Sequence, residues 1–130
     1  MATFLFRTFA YMPNLPFPSN NWIANLADTF WREATVAQIE KDFALQAIPL
    51  VINTILDKSA DFLSFFAEQI EALNLVHHPR FVSLLYQLDM PEESISKKLR
   101  EALPDDIYTI LAEAIALQCF RKVWWRQQMK

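Results

Sequence analysis

The sequence contains no glycine in 130 residues, where average usage would place roughly nine. Glycine takes positive φ without steric cost and lets backbone close on a ligand. Without it the chain cannot carry a G-x-G-x-x-G dinucleotide loop, a G-x-x-x-x-G-K-[ST] phosphate cradle or a G-x-S-x-G nucleophile elbow. The primed turns of tight β-hairpins also draw on Gly, which disfavours a hairpin-rich β fold. What remains easy is helix, joined by turns built on Pro, Asp, Asn and Ser. The expectation is an all-α fold.

The length suits one domain with a proper core, without help from disulfides or metal. Cys119 is the only cysteine, so no intramolecular disulfide forms and a reducing compartment, the cytoplasm, is expected. The apolar start of the chain is interrupted by Arg7 and no small-residue cleavage site follows, so no signal peptide is read. No uncharged apolar run reaches the ~20 residues of a membrane span; the stretch Phe43 to Leu56 is short and holds Gln46, Pro49 and Asn53. Integral membrane association is not expected. Charge is unevenly placed. Residues 114–130 hold Arg121, Lys122, Arg126 and Lys130 and no acid, so a basic end of +4 sits on an acidic remainder of −7.

Periodicity divides the chain into an extended, Pro-rich arm over residues 1–18 and a compact bundle of six to seven helices over 19–130. Pro13, Pro16 and Pro18 hold the arm extended, and Phe4, Phe6, Phe9 and Phe17 make it too apolar to stay in solvent. A short strand over residues 3–11 is an alternative without an obvious pairing strand. Ser19 or Asn20 can cap a helix to about Ala34 with Trp22, Ile23, Leu26, Phe30 and Ala34 on one face. Thr35 with Gln38 fits a capping box for a second helix, carrying Val36, Ile39, Phe43 and Ala47, unless the two are one bent helix. Pro49 breaks the chain before a further helical stretch to Leu56. A helix capped by Asp57 or Ser59 runs to about Leu75, with Phe62, Leu63, Phe66, Ile70 and Leu73 inward. Pro79 starts the next, with Phe81, Leu84, Leu85 and Leu88. Asp89, Pro91 and Glu92 start another, which ends before Pro104. Asp105 or Asp106 opens the last helix, which can run to Met129 with its acids and bases both matching the helix dipole.

The end of that helix is the main candidate for function. Phe120, Val123 and Trp124 point roughly opposite to Ile107, Leu111 and Trp125, with Arg121, Lys122 and Arg126 between them. A helix end apolar on two sides needs two partners: its own domain, and either the arm, a second copy or another protein. Tryptophan and arginine are enriched at interface centres. The expected interface comprises Phe120, Arg121, Trp124, Trp125 and Arg126, with Phe4, Phe6 and Phe9 of the arm. Nucleic acid is not an expected partner: four bases are few, the body is acidic, and Asp105 and Asp106 would stand where a helix-turn-helix meets DNA. His77 and His78 are adjacent and diverge, so they read as a pair capping the helix after Pro79, not as metal ligands. Cys119, among Leu117, Phe120 and Val123 with no His nearby, reads as a buried inert thiol. Acid pairs such as Asp57/Asp61 and Glu68/Glu71 read as solvated faces. No catalytic, metal or cofactor residue is expected.

The run Leu84-Leu85-Tyr86-Gln87-Leu88-Asp89-Met90-Pro91-Glu92-Glu93, then Leu111-Ala112-Glu113-Ala114-Ile115 and Arg121-Lys122-Val123-Trp124, resembles a pattern in small uncharacterised helical bacterial proteins. The resemblance covers about the C-terminal third. It implies a bacterial cytoplasmic source and carries no catalytic residue over. The expectation is a non-enzymatic helical protein acting through protein–protein contact, homodimerisation first, because an apolar fraction of 53% with 11 Phe and 4 Trp is hard to cover within one small domain. The alternative is a small enzyme or ligand-binding protein with an aromatic-lined pocket between helices.

Overall fold

The computed structural model describes residues 17–18, 21–52, 59–90 and 92–129, and among these every regular element is helical. Six α-helices follow in order: α1 (Trp22–Asn25), α2 (Thr29–Leu45), α3 (Ser59–Ala72), α4 (Phe81–Gln87), α5 (Glu92–Glu101) and α6 (Ile107–Gln128). Single 3-10 turns, Leu75–His77 and Pro104–Asp106, lead into α4 and α6. The all-α expectation is met. The expected arm, apart from Phe17 and Pro18, lies outside the described residues.

The helix expected from Ser19 or Asn20 to Ala34 is divided at residues 26–28. Asp28 is extended (φ −79, ψ 128) and its Oδ1 accepts from the Phe30 N–H at 2.8 Å, a side-chain N-cap that starts α2. Arg32, 6% exposed, reaches back from the next turn, and its Nη1 donates to the carbonyls of Leu26 (3.0 Å) and Ala27 (3.2 Å). Those oxygens lie just past the end of α1, where carbonyls lack intrahelical donors and a cation is favourable. Cap and arginine together fix the corner, which apolar spacing alone does not reveal. Once started, α2 runs unbroken to Leu45, so Thr35 and Gln38 lie buried in its middle and do not form a capping box.

A chain without glycine still has to end its helices, and it does so with side chains held at positive φ. Ala47 (φ 59), Asn74 (φ 52) and Asp89 (φ 58) are left-handed. After α2, Ile48 N–H reaches Phe43 O at 3.0 Å and Ala47 N–H reaches Ala44 O at 2.9 Å; after α4, Met90 N–H reaches Leu85 O and Asp89 N–H reaches Tyr86 O. Both are the paired bonds of a Schellman ending, and both place an apolar residue, Ile48 or Met90, into the core beyond the turn. Asn and Asp tolerate this conformation; Ala does so at a cost of about 1 kcal/mol or more. The apolar stripe assigned to Ala47 therefore ends at Phe43, and Ala47 itself is exposed. Beyond it residues 48–52 are non-helical, where a helix was expected from Pro49. Glu40 secures that passage, its Oε2 accepting from the Ile52 N–H at 2.6 Å.

Helix α6 is the centre of the bundle. It packs against α2 and α3 along much of its length and against α5 near its start. Leu111, Ala112, Ile115, Ala116, Cys119, Phe120 and Val123 are all buried on it. On its C-terminal half, Phe120 and Trp124 meet Trp31 of α2. The turn 75–77 is tied to α6 through Tyr108, whose hydroxyl accepts from Val76 N–H at 3.3 Å. Asp105 and Asp106 make the 3-10 turn before α6, without a side-chain cap, so their effect on the helix is through its dipole alone.

Candidate functional site

Among the described residues, one carboxylate is buried in this apolar bundle. Asp42 is 2% exposed, on the face of α2 next to Ile39 and Phe43. A bare buried carboxylate is prohibitively costly, so its partners decide whether it can stay ionised. It has four. Lys122 Nζ donates to Oδ2 at 3.0 Å and Cys119 Sγ to the same oxygen at 3.5 Å. Gln38 Nε2 donates to Oδ1 at 3.1 Å and Gln87 Nε2 at 2.9 Å. Helical spacing explains the arrangement. Gln38 lies one turn before Asp42 on α2, and Cys119 and Lys122 lie one turn apart on α6.

The network extends outward from Asp42. Arg126, one turn beyond Lys122, donates to Gln38 Oε1 at 2.6 Å. Gln46 Nε2 donates to Gln87 Oε1 at 2.6 Å, and Gln87 Nε2 also reaches the Asp42 carbonyl at 3.1 Å. The knot therefore joins α2, α4 and α6, three elements that are far apart in sequence. The Lys122 side chain is 30% exposed, so the ammonium sits at the rim and the carboxylate beneath it. Cys119 is fully buried, and burial pushes its thiol well above the ordinary value; the Asp42 carboxylate raises it further while Lys122 opposes. The thiol is held protonated as a donor, which suppresses nucleophilic chemistry. Sequence reasoning placed Cys119 in the core and missed its acid. The only local signal was the polar pair Gln38 and Asp42, one turn apart beside an apolar stripe.

Around the same end of α6 lies an aromatic cluster. Trp31 stacks on Trp124 with centroids 5.5 Å apart and meets Phe120 at 5.5 Å. Phe17 stands edge-on to Phe120 and Trp124. Phe30 stands edge-on to Trp31 at 5.1 Å and is 50% exposed. The Arg121 guanidinium lies over the Phe17 ring, 5.2 Å from its centroid. Of the residues expected at an interface, Phe120 is fully buried inside the chain, Trp124 and Trp125 are partly buried, and Arg121 and Arg126 are exposed. Phe4, Phe6 and Phe9 lie outside the described residues. Phe30 was assigned to the core and instead faces outward.

His78 Nδ1 accepts from the Arg80 N–H at 3.0 Å, just before α4; α4 itself starts at Phe81, not at Pro79, and carries no side-chain cap, so the capping role expected of His77 and His78 is not formed. Among the described residues there is no cluster of three or more metal-ligating side chains, and no helix is long and apolar enough to cross a membrane. Comparison with protein-family models, curated proteins and solved structures finds no match.

Proposed function

We propose that this chain acts through protein–protein contact, and that its first partner is a second copy of itself. The observation that carries the reading is the aromatic cluster at the end of α6, continuous through Phe17, Trp124, Trp31 and Phe30 and open to solvent at Phe30. Aromatic rings beside arginine are the residue types enriched at interface centres. The charges beside the cluster have opposite signs on its two helices. Arg121 and Arg126 are exposed on α6, and Asp28 at the N-cap of α2 and Glu33 on α2 are exposed, flanking Phe30 in sequence. A surface carrying both signs is self-complementary about a two-fold axis, which sets the bases of one copy against the acids of the other. The buried Asp42 knot belongs to this reading as scaffold: it pins α2 to α6 and so holds Trp31 against Trp124.

The bacterial cytoplasm is the setting we propose. It agrees with a single buried thiol and with the sequence resemblance of the C-terminal third.

Charge reversal tests the contact. Arg121→Glu alone and Glu33→Arg alone are each expected to shift the protein to monomer by light scattering. An equimolar mixture of the two is expected to recover dimer mass. Dimer mass retained by both single variants would overturn the placement of the contact at this surface.

A further inference from the structure

Helix α6 carries a second feature, nearer its start and independent of the self-association surface. A half-open cleft with a cavity volume of about 180 Å³ lies between α1, α5 and α6, lined by Trp22, Lys98, Thr109, Ile110, Glu113, Ala114 and Leu117. This volume lies below the about 300–1,000 Å³ of drug-sized sites, so the cleft suits only a ligand of a few heavy atoms. Ile110, Ala114 and Leu117 recur at four- and three-residue spacing, so they form one apolar stripe along α6. Trp22 is 6% exposed, and its ring is anchored 5.8 Å from that of Phe120. The apolar part of the cleft is thus built on the core of the bundle.

The charges beside this stripe decide what fits. Lys98 comes from α5 and Glu113 from α6, both exposed and both lining the cleft. The ion pair formed among the described residues is Lys122 with Asp42, so Lys98 and Glu113 pair neither with one another nor with a neighbour. The bases Lys97 and Arg100 line a separate depression with Glu92 and Glu93 and leave the charge pattern of the cleft unchanged. A cation on one wall and an anion on the other match a small molecule that carries a carboxylate, an ammonium and an apolar group. We propose that the cleft binds a free α-amino acid with an aliphatic side chain, as its zwitterion. Lys98 receives the carboxylate, Glu113 receives the ammonium, and the side chain lies along Ile110, Ala114 and Leu117.

A chemical-shift titration of the full chain with L-leucine tests this directly. The expected result is saturable shifts confined to Trp22, Lys98, Thr109, Ile110, Glu113, Ala114 and Leu117. Leucinamide lacks the carboxylate and N-acetylleucine lacks the ammonium. Each is expected to bind about fivefold more weakly than L-leucine, the scale of one exposed ion pair. Lys98→Gln should remove the preference for L-leucine over leucinamide and leave the preference over N-acetylleucine. Glu113→Gln should do the reverse. Both residues are exposed and unpaired, so the variants are expected to fold as the parent does. Equal binding of the three compounds, shifts centred elsewhere, or variants that keep both preferences would overturn the proposal. So would a cleft left unmoved by L-leucine but saturated by an apolar peptide. None of these results depends on whether the chain is a dimer.

Discussion

Replacing Asp42 by Asn isolates the energetic role of the buried knot, because the side chain keeps its shape and loses its charge. Asn offers one acceptor oxygen where Asp42 offers two, and its amide adds donors to a site already crowded with them. Gln38 and Gln87 donate to Oδ1, and Lys122 and Cys119 to Oδ2. Gln38 and the thiol are held inside and Gln87 is half-buried, and a buried donor without an acceptor costs about 1–3 kcal/mol. Gln87 retains the Asp42 carbonyl at 3.1 Å, which limits its loss. Lys122, with its side chain 30% exposed, can turn to water, so its charge is not stranded as in a sealed ion pair. These considerations place the change at the lower end of the cost of breaking a buried pair, about 3 kcal/mol. At this chain length the melting temperature should fall by about 10 °C. The assay is reversible urea denaturation followed by circular dichroism, with Lys122→Met and the double variant completing a cycle. The double variant is expected to cost less than the sum of the singles, because Lys122→Met strands the buried Asp42 carboxylate and Asp42→Asn removes that charge. An Asp42→Asn variant within about 0.5 kcal/mol of the parent would refute the reasoning, since that is the range of ordinary surface substitutions.

Further outcomes follow from the same geometry. Ala47→Gly should stabilise the chain by about 1 kcal/mol in the same denaturation assay, because glycine removes the left-handed strain at φ 59. Trp31→Ala should destabilise by about 3 kcal/mol and change the Trp124 emission, since it removes the ring stacked on that indole. The raised folded value of the Cys119 thiol favours the protonated native state. Its stabilisation is therefore fully present below the ordinary thiol range near ~8.5 and is lost as pH climbs through the raised folded value. The parent should lose stability across that alkaline window more steeply than Cys119→Ala. A thiol reagent should modify Cys119 rapidly only in denaturant.

What could be read from the sequence was local chemistry. Glu92 opens α5 after Asp89 and Pro91, and α5 ends before Pro104, each through groups within a few residues. Asn74 and Asp89 fill left-handed turns as short polar residues do, and the missing glycine pointed to such substitutes. Ala47 escaped notice because its turn is set by the burial of Ile48 beyond it, a tertiary reason. The Thr35–Gln38 pattern misled because a capping box needs a free helix start, and Asp28 with Arg32 had already placed that start seven residues earlier. The Asp42 knot was hidden for a different reason. Its partners Gln87, Cys119 and Lys122 lie 45, 77 and 80 residues away along the chain. No local pattern reports that a mid-helix aspartate will meet an amide, a thiol and an ammonium from two other helices.

We propose that the aromatic and charged surface at the end of α6 meets a second copy of the chain. Sedimentation equilibrium of the parent protein at micromolar concentration and moderate salt addresses it most directly. Twice the 15.2 kDa mass of the chain is expected, falling toward the monomer as salt screens the Arg121–Glu33 contacts between copies. A mass of 15.2 kDa at every concentration and salt would contradict it.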